Sequence, residues 1–180
     1  MSTKKQVLRL KYNITSKDYD AIYAEEQLEK YTVSIKYIDV YNKVLDCGCG
    51  TALFIEFLKG MKRLCNVNYY LCLDLSPGML RQAKRRIRKL GLGFLAELVE
   101  ADAEYLPLRD KSVETAVSFT VINLLEDKTK GIRELQRVTC GCILVSVLKL
   151  AEKLDMVSLR FGKYVGETSK DKIFLKCNND

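Results

Sequence analysis

The chain contains no histidine. That absence removes the usual general base, the commonest zinc ligand and every Ser-His or Cys-His nucleophile pair. No apolar run approaches the roughly 18 residues that a bilayer-spanning helix needs, and the polar start MSTKKQ lacks the apolar core of a signal peptide. A cytoplasmic protein with no membrane partner is therefore expected. Internal repeats and low-complexity tracts are also missing, and 180 residues suffice for one domain with a real core. Acids fall short of bases, 23 against 30, for a formal net charge of +7. Such a balance suits an anionic partner such as RNA, and equally a thermophile surface rich in Lys and Glu.

Cysteine is present seven times, an odd number, so at least one is unpaired within a monomer. Cys47 with Cys49 and Cys140 with Cys142 form two CGC triplets. Neither has the C-x₂-C spacing of a zinc knuckle, and each abuts an apolar strand. They read as structural or buried thiols, and no metal site is expected.

Residues 16–31, SKDYDAIYAEEQLEKY, have the pattern of a helix, with Ser16 as a cap and Tyr19, Ile22, Tyr23 and Leu28 near helical spacing. Tyr12, Tyr19 and Tyr23 could form a wall against a ligand or pack onto a sheet. Val44 and Leu45 open a buried strand, and Leu53, Phe54, Phe57 and Leu58 mark a helix ending near Gly60. Residues 68–74 form a second strand; Ser76 and Pro77 then start a helix that runs to Gly91 and carries Arg81, Lys84, Arg85, Arg86, Arg88 and Lys89. That charge is either a solvated face or a nucleic-acid patch. Strands at 96–101, 114–119 and 142–148, a helix at 127–138, a helix from Ala151 to Phe161 and a closing strand KIFLK complete the chain. This alternation argues for an α/β fold, a Rossmann-like doubly wound, mostly parallel sheet with helices on both faces. About 30 residues follow the fifth strand, which leads us to expect fewer final strands than usual and no inserted substrate domain.

The most informative stretch is KVLDCGCGTA, residues 43–52, in which Gly48 and Gly50 separate a strand from a helix. Glycine allows positive φ and close approach of a ligand, and a helix start offers free N–H groups. The dinucleotide fingerprint G-x-G-x-x-G/A fails, because its third position is Leu53, and no P-loop occurs. Three successive strands finish at Asp46, Asp74 and Asp102, each 28 residues from the last. In an open α/β sheet such positions line one crevice outside the carboxyl ends of the strands. A ribose-bearing ligand without a pyrophosphate fits this arrangement.

LDCGCGTA, LDLSPGML and EADAEYLPLRDKSVE, in this order, resemble the class I S-adenosylmethionine-dependent methyltransferases, the small type 11-like group with a D-x-G-x-G first motif. The similarity covers residues 42 to about 148 and implies S-adenosyl-L-methionine as cofactor. It further implies one domain: a helical lid over 1–40, a cofactor-binding core over 42–148, and a helix with a closing strand over 149–180. By the same resemblance Asp46, Gly48 and Gly50 border the methionine part, Asp74 takes the ribose hydroxyls and Leu75 flanks the adenine. Asp102 would accept from the adenine amino group beside Ala103, Ser118 and Phe119 would lie by the reactive methyl, and the helix with Tyr19 and Tyr23 would close over the site.

Methyl transfer needs a nucleophile held in line with the S–CH₃ bond and water excluded, with no obligatory catalytic residue. Candidates near the acceptor are Asn123, Thr120 and Tyr19. Asn123 could orient an acceptor or merely cap its loop. The residues after the fourth strand, from Ser118 to Val121, do not match the N/D-P-P-Y/F/W pattern of enzymes that methylate planar nitrogens. The basic helix favours RNA, a ribonucleoprotein or another translation component as substrate. A small-molecule acceptor is the alternative, as is a non-catalytic cofactor-binding subunit, and a small activating protein partner could complete so bare a core.

Overall fold

The computed structural model describes residues 3–150 and 161–178. Helices α1 (Thr3–Thr15) and α2 (Tyr19–Ser34) precede β1 (Asn42–Cys47), α3 (Leu53–Gly60), β2 (Val67–Asp74), α4 (Pro77–Lys89) and β3 (Ala96–Glu100). Then come β4 (Val113–Phe119), a short 3₁₀ turn (Ile122–Leu124), α5 (Lys128–Val138), β5 (Thr139–Leu148), β6 (Lys163–Glu167) and β7 (Asp171–Cys177). One seven-stranded sheet has the order β3-β2-β1-β4-β5-β7-β6. Strands β1 to β5 are parallel, and β7 runs antiparallel to both β5 and β6.

Alternation along the strands assigns side chains to two cores. Val44 packs with Tyr70, Cys72 and Val117 beneath Phe54, Ile55, Leu58, Ala83 and Ile87 of α3 and α4. Its neighbour Leu45 points the other way, into a layer with Leu71, Ala116 and Ile143 that meets Ile132, Leu135 and Val138 of α5. Each fully buried aliphatic contributes about 1.5–3 kcal/mol, so these faces hold the sheet together. The helix starts follow local chemistry: Ser76 accepts from the Met79 N–H with Pro77 in the first turn, and Asp127 accepts from the Lys130 N–H.

Several expectations need correction. Within the stretch 1–40, expected to be helical, only a helix from Ser16 was located and α1 precedes it, while β6 adds a strand beyond the single closing one, so the sheet is not shortened. The expected helix from Ala151 falls, up to residue 160, outside the described residues. Helix α2 starts at Tyr19, and Ser16 does not cap it; the Ser16 hydroxyl donates to the Asn13 carbonyl instead. The apolar face read for α2 is also displaced, since Ile22 and Leu28 are exposed while Gln27, Lys30, Tyr31 and Ser34 are buried. Tertiary polar contacts override the apolar spacing there.

Cys142 and Cys177 face each other across β5 and β7 and form a disulfide. Cys47 and Cys49 are buried thiols, and burial pushes both up. Among the described residues, no group of three or more His, Cys, Asp or Glu could hold a metal ion, and no helix is long and apolar enough to cross a membrane.

Candidate functional site

The strand order reverses between β1 and β4, and a cavity of about 370 Å³ opens there, outside the carboxyl ends of the strands. The β1–α3 turn forms its floor. The Gly48 and Cys49 N–H groups donate to the Leu73 carbonyl, which ties the turn to β2. Gly48 has φ +81°, and a Cβ there would stand 2.1 Å from Val121, so glycine is required twice over. Gly50, also at positive φ, donates its N–H to Asp74 Oδ2 and leaves open space where a Cβ would be. A ligand can therefore approach its backbone.

Asp74, the last residue of β2, is held by two backbone donors, Gly50 N–H at 2.9 Å and Ser76 N–H at 2.8 Å. Burial nevertheless pushes its carboxyl up to about 6. Lone pairs remain on both oxygens for further donors. Leu75, Ala103, Leu124 and Leu125 supply apolar walls beside it. Asp102 stands in the loop after β3, where Oδ1 accepts the Glu104 N–H and Oδ2 accepts Lys5 Nζ at 2.6 Å.

Lys5 belongs to α1, which roofs this end of the cavity. It also pairs with Glu104, Arg9 pairs with Glu100, and Asn13 Oδ1 accepts from the Ser76 hydroxyl and the Gly78 N–H. The fit at Gly78 is tight, because a Cβ there would meet Asn13 Cα at 2.8 Å. Three polar anchors thus fix α1 over the ends of β2 and β3.

Helix α2 closes the other end. Arg86 of α4 bonds Thr51 and pairs with Asp20 and Glu56, pinning the start of α2 to the glycine turn. The Tyr19 and Tyr23 rings pack at a tilt of 42° with centres 4.9 Å apart and line the cavity with Tyr12; burial pushes the Tyr19 hydroxyl well up, and Gln27 donates to its oxygen. Tyr31 packs edgewise on Phe119 at 4.8 Å, with Phe54 against both.

Beyond Phe119 lies a buried ion network. Lys30 Nζ donates to Glu26 and to Thr120 Oγ1, each at 2.7 Å, and lies 3.1 Å from Asp171 Oδ2 in a charge contact. Thr120 Oγ1 donates to Asp171 Oδ1, and Lys170 pairs with Glu26 from the far side. Lys30 and Asp171 are fully buried. Thr120 sits at φ 62°, a conformation costing a β-branched residue about 1–3 kcal/mol, so the surrounding bonds must hold it there. Burial would raise the Glu26 carboxyl, but hydrogen bonds from Lys170 and Lys30 hold it below its usual range. It is the one carboxylate lining this end among the described residues, since Asp74, Asp102 and Glu104 line the other.

The cavity therefore brings together Gly48, Gly50, Asp74, Leu75, Asp102 and Ala103 with Tyr19, Tyr23, Phe119 and Thr120. Asp46 stands apart, within β1. It borders a niche of about 20 Å³ that shares Tyr19, Gln27, Gly48, Gly50 and Phe119 with the main cavity. The Tyr70 hydroxyl donates to it, and burial pushes it up to about 7. Ser118 is buried in β4 and lines neither space; Asn123 Oδ1 accepts the Leu148 N–H and also faces away. Lys5, Glu26, Lys30, Lys170 and Asp171 escaped the sequence reading. The single local signal was the i,i+4 pair of Glu26 and Lys30.

Comparison with known proteins places these features in context. The family described as methyltransferase domain matches residues 45–141, more than half of the chain. A curated relative, malonyl-[acyl-carrier protein] O-methyltransferase of Hamiltonella defensa subsp. Acyrthosiphon pisum (strain 5AT), is 35% identical over 115 residues, 63% of this chain and 40% of its own length. The chain spans less than half the length of the curated relatives it matches. In fold it is similar to magnesium protoporphyrin IX methyltransferase from Synechocystis PCC 6803, with TM-score 0.73, 16% identity and 98% of both chains covered. It is similar, too, to a chain in the complex of the Haloferax volcanii Trm112 methyltransferase activator with a methyltransferase, with TM-score 0.65, 20% identity, and 76% of this chain and 59% of that one covered.

Proposed function

From a chain that belongs to the methyltransferase-domain family, the class I S-adenosylmethionine-dependent methyltransferases, we propose an enzyme that binds S-adenosyl-L-methionine along the glycine turn and methylates a small-molecule acceptor beneath α2. The observation that carries the reading is the 370 Å³ cavity, lined by a carboxylate fixed on the glycine turn and by an aromatic wall. Its volume falls in the range of small-ligand pockets, roughly 300–1,000 Å³. The donor set fits the cofactor. Asp74 accepts the two ribose hydroxyls, and Asp102 uses lone pairs not taken by Lys5 for the adenine amino group. Leu75 and Ala103 flank the base, and Gly50 leaves room at the backbone.

When bound, S-adenosylmethionine supplies an electrophilic sulfonium methyl. The chain's part is to orient an acceptor and exclude water. Phe119, Tyr19 and Tyr23 exclude water. Glu26, deprotonated at neutral pH and braced by Lys30 and Lys170, accepts a hydrogen bond from the acceptor and so orients it. Thr120, fixed by Lys30 and Asp171, sets the adjoining wall. Asn123 braces the end of β5 rather than touching the acceptor.

An RNA acceptor is less well supported. Helix α4 begins at the site and runs away from it, so Arg88 and Lys89 lie about 20 Å from Ser76 along 13 residues. Arg86 is spent on Asp20, Glu56 and Thr51. The name of another curated relative, ubiquinone/menaquinone biosynthesis C-methyltransferase of Pasteurella multocida (strain Pm70), 28% identical over 61% of this chain, favours a small-molecule acceptor. A second reading, in which a small activating protein completes the acceptor end, draws on the complexed Haloferax volcanii methyltransferase of the same fold.

The test is transfer of labelled methyl from S-adenosylmethionine in cell extract supplied with the purified chain. Label is expected in the small-molecule fraction. Label in RNA or protein would overturn the acceptor class, and calorimetry without cofactor binding would overturn the whole reading. Binding with transfer only in co-purified material would favour the activated complex, and binding with no transfer at all the non-catalytic subunit.

A further inference from the structure

Helix α1 is inside out. Its inward face carries Lys5 and Arg9, which reach Asp102, Glu104 and Glu100, and Tyr12, which lines the cavity. Its outward face carries Val7, Leu10 and Ile14, which are 62%, 60% and 69% exposed. Their spacing of three and four residues stacks them in one stripe over two helical turns. Scattered exposed aliphatics need no explanation, but three in register on one helix form a surface that asks for a cover.

The charges around the stripe say which cover fits. Helix α1 contains no acid, and the exposed Lys4 and Lys11 flank the stripe on one side, Lys11 at the cavity rim with its ammonium 5.6 Å from the centre of the Tyr12 ring. Exposed Lys17 follows the helix, and α4, against which α1 packs, exposes Arg81, Lys84 and Arg85. A second copy of this chain, itself of net charge +7, would set lysine against lysine. A nucleic acid would meet the cations but leave the aliphatic stripe in water. An anionic bilayer answers both features, with the stripe at the acyl boundary and lysines reaching the phosphates.

We propose that α1 docks this protein on anionic lipid surfaces, with Val7, Leu10 and Ile14 inserted and the flanking lysines on the headgroups. The expectation of no membrane partner rested on the absence of a spanning run, which does not bear on a helix lying in the interface. Docking would bring the cavity roofed by α1 close to the bilayer. This inference is independent of the methyl-transfer reading.

Sedimentation of the intact chain with vesicles tests it. Vesicles of equal parts phosphatidylglycerol and phosphatidylcholine should carry the protein down, more weakly as salt rises, while pure phosphatidylcholine should carry far less. The double variant Leu10→Glu with Ile14→Glu should bind about tenfold less, its thermal melt and calorimetric cofactor binding unchanged. Phe94→Glu, at an exposed apolar residue in the loop before β3, should bind as the parent does. Three results would overturn the proposal: no binding to anionic vesicles, equal loss in the Phe94 variant, or a dimer in ultracentrifugation that the α1 double variant dissolves.

Discussion

The helices of this protein fall into two groups that obey opposite rules. Helices α3, α4 and α5 lie on the sheet and turn apolar residues inward: Phe54, Ile55 and Leu58, then Met79, Ala83 and Ile87, then Ile132, Leu135 and Val138. Helices α1 and α2 cover the carboxyl edge of the sheet and turn largely polar residues inward, Lys5 on one and Gln27, Lys30 and Ser34 on the other. The difference follows from what lies beneath. A sheet face is apolar, whereas the edge presents Asp74, Asp102, Glu104, Thr120 and Asp171, which need donors or cations when buried. The first group is held by transfer of apolar surface from water, the second by ion pairs and hydrogen bonds between residues far apart in sequence.

The sharpest way to break that contrast is to cut one residue of each kind. Lys30→Met leaves Asp171 buried beside Thr120 and Ser146 without its cation, and should cost about 3–5 kcal/mol in urea denaturation. Ile55→Val, a methyl removed from the sheet-packed group, should cost only about 0.5–1.5 kcal/mol. Equal costs would mean that the network around Lys30 is incidental.

Next in size is cofactor binding. Asp74→Asn keeps the shape but loses a charged acceptor, and should weaken S-adenosylmethionine binding by about 1.5–3 kcal/mol in calorimetry, with little change in the melt. If the melt falls instead and affinity holds, Asp74 belongs with the structural polar groups.

The smallest effect per step is on pH. Burial raises Asp46 to about 7 and Asp74 to about 6, from an ordinary value of 3.8. Between pH 4 and 7 the folded state therefore binds more protons than the unfolded chain, so stability falls as pH rises, by at most about 1.4 kcal/mol per unit and group, and levels off above 7. Denaturation at pH 5 and pH 8 should show this loss, and Asp46→Asn should reduce it. Because ribose hydroxyls donate best to an ionised carboxylate, cofactor affinity should move the other way and weaken below pH 6.

Much of the fold and half of the site could be read from local pattern. The glycine turn, the cap at Ser76 and the apolar strands are each set by a few neighbouring residues, and the acids at the ends of β2 and β3 mark one edge. Asp46 was read at that edge too, yet it sits one residue earlier in β1, buried under Tyr70. The lid helices misled because apolar spacing is a rule for helices that pack on apolar surface. In α2 it selected Ile22 and Leu28, which face water.

The sequence alone determined the parallel strands, the glycine turn and the acids at the carboxyl edge, because each depends on backbone conformation and alternation over short spans. Only tertiary structure decided the far end of the cavity. Lys30 meets Thr120 across 90 residues, Thr120 meets Asp171 across 51, and Glu26 meets Lys170 across 144. No local pattern announces such partners, since a lysine in a helix is ordinarily solvated. It becomes part of a site only when the fold buries it beside carboxylates that the chain supplies much later.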